Sequence, residues 1–474
     1  MTSVTVSRSR FLLHFAHEHL DFRLPELHSV AEILGIPLKI KEYERQTKSP
    51  FLIVEVPSED NVKQLLKRTM LVRSAYELWA EGKTLESLNE RLAKLSPEIT
   101  EPYTSADSTF KIVVEAFNKK IPPKEKLEKI ESLPWTELGL KGKIRLENPD
   151  HSFYLLEFYE DEAGSHSALE PSSLYFGRFI AEGSRDQIRH YHLQNRCFIG
   201  NTSMDAGLSL IMANMGKAAQ NKLVFDPFVG TGSLLVACAH FGSYVMGADL
   251  DYLLLHGKAR PSRHNQKTRD SNESIRSNLI QYGVGHLYLD AIIADSSKHK
   301  LWRKNEIFDA IITDPLMALG NLPKKSLQIT EGNSHLKGSL FSPFLICLSF
   351  VAHSLYLAVW LRCQNHLPLK THYQLSDIFK DLLNFAAKHL VLNGRLVYWF
   401  PVYRSEYQDE NIPIHPNLEL VANSEQPLST KVGRRLITMQ KIKSYQENSE
   451  ESGSASVLLD HYADSTFRQK YFEL

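Results

Sequence analysis

The chain has 474 residues, of which 43% are hydrophobic and 23% charged, and its 55 basic and 55 acidic side chains leave no net charge. This composition is enough for two or three ordinary hydrophobic cores, and it excludes both an intrinsically disordered chain and a small disulfide-stapled scaffold. The four cysteines show no Cys-x-x-Cys spacing, which argues against a disulfide framework or an internal zinc site and indicates reduced thiols, as in the cytoplasm.

The first 165 residues are expected to form two small α+β units, residues 1–60 and 61–165, followed by a linker at 166–195. The apolar stretches and helix-period patterns that indicate these units are Phe11–Phe15, Leu27–Leu34, Pro50–Val56, Val62–Leu71, Thr109–Phe117 and Pro123–Leu133. A signal peptide is not expected, because the first apolar run is short and no small-residue cleavage site follows it.

Strand-like and helix-like segments alternate in the remainder of the chain, over residues 196–445. These segments are Lys222–Asp226, Ser233–His240, Ser243–Asp249, Ala291–Asp295, Phe308–Asp314, Asp377–His389, Arg395–Pro401, Glu419–Asn423 and Arg434–Gln440. Alternation of this kind predicts an α/β fold, a Rossmann-like parallel sheet with helices on both faces, and the last two strands suit an antiparallel edge hairpin. Residues 446–474 are expected to be a C-terminal tail.

A glycine-rich loop with the sequence DPFVGTG, Asp226–Gly232, follows the first of these strands and precedes an apolar helix. Gly230 and Gly232 let the backbone approach a ligand closely, and Phe228 and Thr231 complete the loop. A third glycine for a dinucleotide and a Gly-Lys-Ser/Thr for phosphates are both missing. Because Asp226 would repel phosphate but attract a cationic amino acid, we interpret the loop as a site for S-adenosylmethionine. The alternative is a tight turn without a ligand.

Two further strand ends carry acidic residues that fit the same ligand. Asp249 follows the loop at about the twenty-residue spacing that places a carboxylate on a ribose in doubly wound folds. Asp295 lies at the end of the third strand and is expected to contact the adenine amino group, although it could instead cap a helix. Asp251 could equally be an outward-facing carboxylate, and we rank it below Asp249.

A basic stretch lies between residues 258 and 276. Its candidate phosphate-contacting side chains are Lys258, Arg260, Arg263, Lys267 and Arg269. Lysine and arginine contacts to the backbone supply most non-specific affinity for nucleic acids, so this stretch is a candidate RNA-binding loop. An exposed charged loop with no partner is the alternative.

The order of these motifs resembles one family, the catalytic subunit of the eukaryotic tRNA guanosine-10 N2-methyltransferase. The similarity covers nearly the whole chain. The motifs that carry it are YFGRFIAEGSRD (Tyr175–Asp186), IGNTSMDAGLS (Ile199–Ser209), DPFVGTG, GADLD, IIADSSK (Ile292–Lys298) and FDAIITDP (Phe308–Pro315).

The resemblance carries several implications. It identifies residues 1–60 as a ferredoxin-like domain and residues 61–165 as a THUMP domain, a module that binds tRNA. It implies that Thr202, Ser203 and Met204 contact S-adenosylmethionine. It also implies a heterodimer with a small zinc-binding activator subunit, so any metal should belong to that partner.

The chemistry that the resemblance implies depends on Asp314 and Pro315. Methylating an exocyclic amine requires acceptors that turn its lone pair toward the methyl group. Related amino methyltransferases use Asp/Asn-Pro-Pro-Tyr/Phe: the acid or amide and a proline carbonyl accept the amine protons, and the ring stacks on a splayed-out base. Here Leu316 and Met317 replace the second proline and the tyrosine.

Residues 316–370 are atypical of the resembled family. Gly338–Leu361 contains no Asp, Glu, Lys or Arg and is long enough to imitate a membrane span, but a span inside a sheet domain makes little sense, and no membrane association is expected. A codon assignment exists in which the bases from Pro315 onward, regrouped in another frame, encode Pro-Tyr-Gly-Ile-Arg-Glu-Ser, the continuation that the family has. We therefore interpret this segment as an out-of-frame or intron-derived translation.

Three functions stay open at this point. The first is a tRNA guanine-N2 methyltransferase whose catalytic segment is misread. The second is an inactive splice form that binds donor, tRNA or partner without turnover. The third is an adenine-N6 or ribosomal guanine-N2 methyltransferase, against which the N-terminal resemblance argues.

Overall fold

A computed structural model of the chain describes residues 9–40, 49–160, 169–263, 266–298, 301–315, 324–326, 370–372, 375–445 and 455. The expectations for Leu316, Met317 and the uncharged segment Gly338–Leu361 fall outside these residues. So does the tail at 446–474, apart from Ala455.

The strands are β1 Ser9–Phe15, β2 Lys39–Ile40, β3 Phe51–Val56, β4 Val72–Gly82, β5 Thr109–Phe117, β6 Lys143–Ile144, β7 His151–Phe158, β8 Ser173–Glu182, β9 Leu223–Asp226, β10 Tyr244–Asp249, β11 Tyr288–Ile293, β12 Phe308–Thr313, β13 Lys324–Ser326, β14 Lys370–His372, β15 Leu390–Tyr403, β16 Leu418–Pro427 and β17 Val432–Lys441. The α-helices are α1 Arg23–Leu34, α2 Glu59–Leu66, α3 Leu85–Leu92, α4 Pro97–Thr100, α5 Pro123–Glu131, α6 Trp135–Leu138, α7 Asp186–His190, α8 Ala206–Met215, α9 Ser233–His240, α10 Tyr252–Leu255, α11 Ile275–Gln281 and α12 Leu375–His389.

The N-terminal half forms one sheet with the strand order β2-β3-β1-β4-β8-β7-β5-β6. This sheet runs across the boundary expected at residue 60. The segment expected to be a linker, 166–195, contains β8, which pairs with both β4 and β7 near the middle of the sheet. This segment is a strand because its side chains alternate between the two faces of the sheet, and Leu174 and Phe176 are buried in the hydrophobic core.

The C-terminal half forms a second sheet with the strand order β11-β10-β9-β12-β15-β17-β16. The strands β9 to β12 and β15 are parallel, and β17 is antiparallel between β15 and β16. The predicted α/β, Rossmann-like architecture is therefore confirmed. The strand order reverses between β9 and β12, and ligands of such sheets bind beyond the carboxyl ends at that point.

The two sheets share one hydrophobic core. Phe22 and Val30 of the N-terminal half pack in the same buried cluster as Met212, Trp399 and Leu436 of the C-terminal half. Cutting the chain at residue 165 would therefore expose core side chains, at a cost of about 25 cal/mol for each Å² of apolar surface. The contribution of the N-terminal half is better tested by point variants than by truncation.

A buried carboxylate links the halves at this junction. Glu26 of α1 accepts hydrogen bonds from Met70 N at 2.8 Å, from Leu71 N at 3.0 Å and from the Asn214 side chain of α8 at 2.8 Å. Burial raises the pKa of Glu26, and these three donors oppose that rise. Because its partners come from both halves, Glu26 fixes α1 against the second sheet.

Candidate active site

Asp226 ends β9 and is 2% exposed. Its Oδ1 accepts hydrogen bonds from Phe228 N at 3.0 Å and from Thr313 Oγ1 at 2.6 Å. Burial raises the pKa of Asp226 to about 7, and the neighbouring carboxylates of Asp249 and Asp314 add to the rise. Burial therefore disfavours the ionised form of this carboxylate, and a cation bound beside it would stabilise that form.

The glycine loop turns where the sequence pattern predicts a turn. Gly230 and Gly232 have φ angles of +50° and +78°, in the left-handed region that favours glycine. A Cβ on Gly232 would approach Ile275 Cγ2 to 2.7 Å, whereas a Cβ on Gly230 would meet nothing within 4 Å. Gly232 thus serves close packing, and Gly230 borders open space into which a ligand can come.

Asp249 ends β10 and joins this loop. Its Oδ2 accepts a hydrogen bond from Gly230 N at 2.9 Å, and its Oδ1 accepts one from Asp251 N at 2.9 Å. Burial raises its pKa, as for Asp226. Asp251 instead caps α10 by accepting a hydrogen bond from Leu254 N at 3.0 Å, which agrees with its lower rank.

The segment before α8 lies against the loop. Ser203 Oγ is 2.6 Å from Thr231 Oγ1 and accepts a hydrogen bond from Gly200 N at 2.8 Å. Thr202 is half-buried, while the side chain of Met204 is buried in the core that α8 shares with α9. The structure brings Ser203 to the glycine loop and directs Met204 into the protein.

Asp295 follows β11 and is also buried. Its Oδ1 accepts hydrogen bonds from Ser297 N at 3.0 Å and from Ser297 Oγ at 2.7 Å. These are the turn-capping contacts of the alternative considered for this residue. The contact of Asp295 with the adenine amino group stays a prediction.

Asp314 and Pro315 follow β12, and both are buried. Arg434 Nη1 donates to Asp314 Oδ2 at 3.0 Å, and Arg434 Nε donates to Gln426 Oε1 at 2.7 Å. The guanidinium lies 4.0 Å from the centre of the Trp399 ring. Arg434 is therefore held from several sides and orients the Asp314 carboxylate.

Sequence reasoning missed the roles of Thr313 and Arg434. Arg434 carries a signal that could have found it: it lies two residues before the buried run Leu436–Met439 of β17, so its charge needs a partner. A single threonine before Asp314 carries no comparable signal.

The basic stretch divides into two groups. Arg269 is nearly buried and donates to the carbonyl oxygens of Ala259, Arg260 and Ile199 and to the Glu273 carboxylate. Arg263 donates to the carbonyl oxygens of Gln194 and Arg196. These two guanidinium groups hold the loop together instead of facing solvent. Of the five candidate side chains, Lys258, Arg260 and Lys267 are exposed.

Among the described residues, no helix is long and apolar enough to cross a membrane. Within the same residues, no group of three or more His, Cys, Asp or Glu side chains could hold a metal ion.

Comparisons with known proteins show which family the chain is similar to. A family model described as the Tmrp11 THUMP N-terminal domain matches residues 9–185. The tRNA (guanine(10)-N(2))-methyltransferase TRMT11 of Homo sapiens is 44% identical over 99% of this chain and 96% of its own. The Bos taurus protein of the same name is 45% identical, over 98% of this chain and 95% of its own. The protein of the same name from Dictyostelium discoideum is 33% identical, over 93% of this chain and 83% of its own.

Among solved structures, TrmN from Thermus thermophilus is similar with a TM-score of 0.40 and 14% identity, over 91% of this chain and all of that one. The relatives from Homo sapiens to Dictyostelium discoideum align along nearly the full length of the chain, and the resemblance seen in its motifs is confirmed. The chain belongs to the tRNA (guanine(10)-N(2))-methyltransferase TRMT11 family.

Proposed function

We propose that this chain, with the family motif restored after Pro315, transfers a methyl group from S-adenosylmethionine to the exocyclic N2 of guanosine 10 in tRNA. The observation that carries the proposal is the meeting of Asp226, Asp249 and the Gly230 turn at the carboxyl edge of the second sheet. Full-length similarity to relatives named for this reaction supports the substrate.

The donor suits the glycine loop. Bound there, S-adenosylmethionine would supply an electrophilic methyl group. Asp226 holds its cationic methionine end, and Gly230 leaves space for it to approach. Asp249 accepts hydrogen bonds from the ribose hydroxyls, and Asp295 accepts one from the adenine amino group. Thr202 and Ser203 form the adjoining wall, with Ser203 bonded to Thr231 of the loop, and Met204 would contact the donor through its backbone, because its side chain is buried in the core.

The acceptor base is held by the residues after β12. Asp314 accepts a hydrogen bond from one N–H of the guanine amine, and the backbone carbonyl of Pro315 accepts one from the other N–H, so that the nitrogen lone pair faces the methyl group. Arg434 holds the Asp314 carboxylate in its orientation. The carboxylate in turn places a negative charge close to the cationic donor.

The N-terminal half, with its match to a THUMP domain, binds the tRNA, and the exposed cations of the basic stretch contribute phosphate contacts. Replacing Lys258, Arg260 and Lys267 together by alanine should weaken tRNA binding uniformly across sequences. The slope of log affinity against log salt should fall by about one for each phosphate that the variant no longer neutralises. Fluorescence titrations at several salt concentrations measure both quantities.

The Lys431→Ala variant, which removes an exposed cation in the turn between β16 and β17, outside the basic stretch, is the control for this titration. An unchanged salt slope in the triple variant would remove the stretch from the RNA interface. Arg269→Ala is unsuitable as a test, because it breaks the internal hydrogen bonds of the loop.

We also propose that a small zinc-binding activator subunit docks on the β11 edge of the second sheet. β11 ends the sheet and exposes Leu289 by 52% and Ile293 by 44%. The opposite edge, β16, is partly covered, since Ser424 and Glu425 donate to Asp21. Leu289→Lys should abolish co-purification of the activator, and retention of the subunit by this variant would argue against β11.

We propose that the enzyme is cytoplasmic, which the free thiols of Cys197 and Cys238 support because thiols stay reduced in that compartment.

The second candidate function is binding without turnover. The observation that favours it is the replacement of the second proline and the aromatic residue of the catalytic motif by Leu316 and Met317. A chain of this kind would still bind donor, tRNA and activator.

The site of methylation tests the proposed function. The chain with the family motif restored after Pro315, together with the activator, should label an unmodified tRNA transcript from S-adenosylmethionine carrying a labelled methyl group. The same transcript with adenosine at position 10 should stay unlabelled. Equal labelling of both transcripts would exclude guanosine 10 as the target.

A further inference from the structure

We infer that Thr313 is a positioning residue for the methyl-donor site, whose hydroxyl holds the Asp226 carboxylate in the orientation that a cationic donor requires. The inference rests on the proposed donor site. It assigns a role to a residue that would not touch the donor itself.

The geometry of two neighbouring strands carries the inference. β9 and β12 run parallel with Val224 opposite Ala310 and Phe225 opposite Ile311. This register brings Asp226 level with Ile312, the residue before Thr313, so Asp226 and Thr313 lie close together at the carboxyl ends of the two strands. Thr313 is fully buried, and its Oγ1 donates to Asp226 Oδ1 at 2.6 Å. Among the described residues, Thr313 supplies the side-chain donor to this carboxylate, and Phe228 N supplies the backbone donor.

The charges around Asp226 explain why this donor matters. The titratable groups that face it are the carboxylates of Asp249 and Asp314 and the thiol of Cys238 on α9. All three are neutral or negative. Burial therefore favours the protonated carboxyl, and the Thr313 hydroxyl is one of the two groups that stabilise the ionised form.

Thr313 also precedes Asp314 directly in the chain. These two neighbouring residues thus serve both sites. The Thr313 side chain donates a hydrogen bond to Asp226, which binds the methyl donor, and Asp314 binds the amine. A displacement of β12 would move both, so Thr313 sets the position of the donor relative to the acceptor.

The test uses variants of the full chain and calorimetric titration with S-adenosylmethionine and S-adenosylhomocysteine. Thr313→Val keeps the shape and removes the hydroxyl, and Thr313→Ser keeps the hydroxyl. Thr438→Val is the matched control, because Thr438 is buried in the same sheet and its hydroxyl has no partner among the described residues. Thermal unfolding shows that each variant is folded, and Thr313→Ala replaces the valine variant if that one is not.

Thr313→Val should bind both ligands about tenfold more weakly near pH 6 than the unaltered chain, and the difference should narrow toward about pH 8, where the carboxylate ionises unaided. Thr313→Ser and Thr438→Val should bind as the unaltered chain does. A loss that is independent of pH and shared by Thr313→Ser would reduce Thr313 to a packing role and overturn the inference. So would unchanged binding by Thr313→Val. A chain that binds neither ligand before any substitution would instead overturn the proposed donor site.

Discussion

Replacing Asp226 by asparagine should abolish binding of S-adenosylmethionine and, at about pH 8, make the ligand-free protein more stable. Loss of binding follows because the variant removes the negative charge that attracts the methionine end of the donor. We expect donor affinity to fall by more than about 100-fold, as for a buried charge that loses its partner.

The gain in stability follows from the pKa of Asp226, which burial raises from 3.8 to about 7. In the unfolded chain the carboxyl loses its proton near pH 4, whereas in the folded protein it does so only near pH 7. The resulting cost to stability is absent at low pH, grows between these two values and is complete above the folded pKa. Above the folded pKa this cost is on the order of 4 kcal/mol.

Asparagine avoids this cost of ionisation. Its amide oxygen can still accept the hydrogen bonds from Thr313 and Phe228 that the carboxylate accepts. The melting temperature of Asp226→Asn should therefore exceed that of the unaltered chain at pH 8, and the difference should shrink as the pH is lowered toward about 4.

Asp251→Asn is the matched control, because its amide can still cap α10 and it lies beside Asp249 without belonging to the proposed donor site. This variant should change neither donor binding nor stability. Undiminished donor affinity in Asp226→Asn would contradict the donor site. An unchanged melting temperature at pH 8 would contradict the costly ionisation of Asp226.

The chain with Leu316 and Met317 should be nearly inactive, and the chain with Pro-Tyr-Gly-Ile-Arg-Glu-Ser restored after Pro315 should be active. Asp314 can still accept a hydrogen bond from one N–H of the amine. The tyrosine ring that would stack on the guanine is missing, however, and so is the turn that the second proline imposes. A loss of positioning this severe can cost many orders of magnitude in rate.

The comparison measures transfer of labelled methyl groups to unmodified tRNA by both chains, each with the activator. Both chains should bind S-adenosylmethionine with similar affinity, since Asp226, Asp249 and the glycine loop are common to them. That equality separates a defect in catalysis from a folding defect. Equal turnover by the two chains would show that the interrupted motif works as it stands. Sequencing the transcript across codons 310–375 would then test whether the segment is genuine.

The fold of the second sheet could be predicted because its signals are local. β9 and β10 are short runs that end in an acidic residue, at Asp226 and Asp249, and topology then brings these ends to one edge. The glycine loop could be predicted for the same reason, since Gly230 and Gly232 are required by a backbone conformation within the loop itself.

Pairings between distant parts of the chain could not be predicted in this way. β8 was expected to lie in a linker because its pairing with β4 spans a long separation in sequence, which no local pattern reveals. The bond from Thr313 to Asp226 depends on which strands lie side by side. Counting basic residues could not tell Arg269, bonded to internal carbonyl groups, from the exposed Lys258.

The identity of the methylated nucleoside tests the central claim most directly. An unmodified tRNA transcript is incubated with S-adenosylmethionine, the activator and the chain carrying the restored motif, then digested to nucleosides and analysed by mass spectrometry. The proposed positioning of an exocyclic amine by Asp314 and Pro315 predicts N2-methylguanosine. N6-methyladenosine, or no methylated nucleoside despite measurable donor binding, would contradict it.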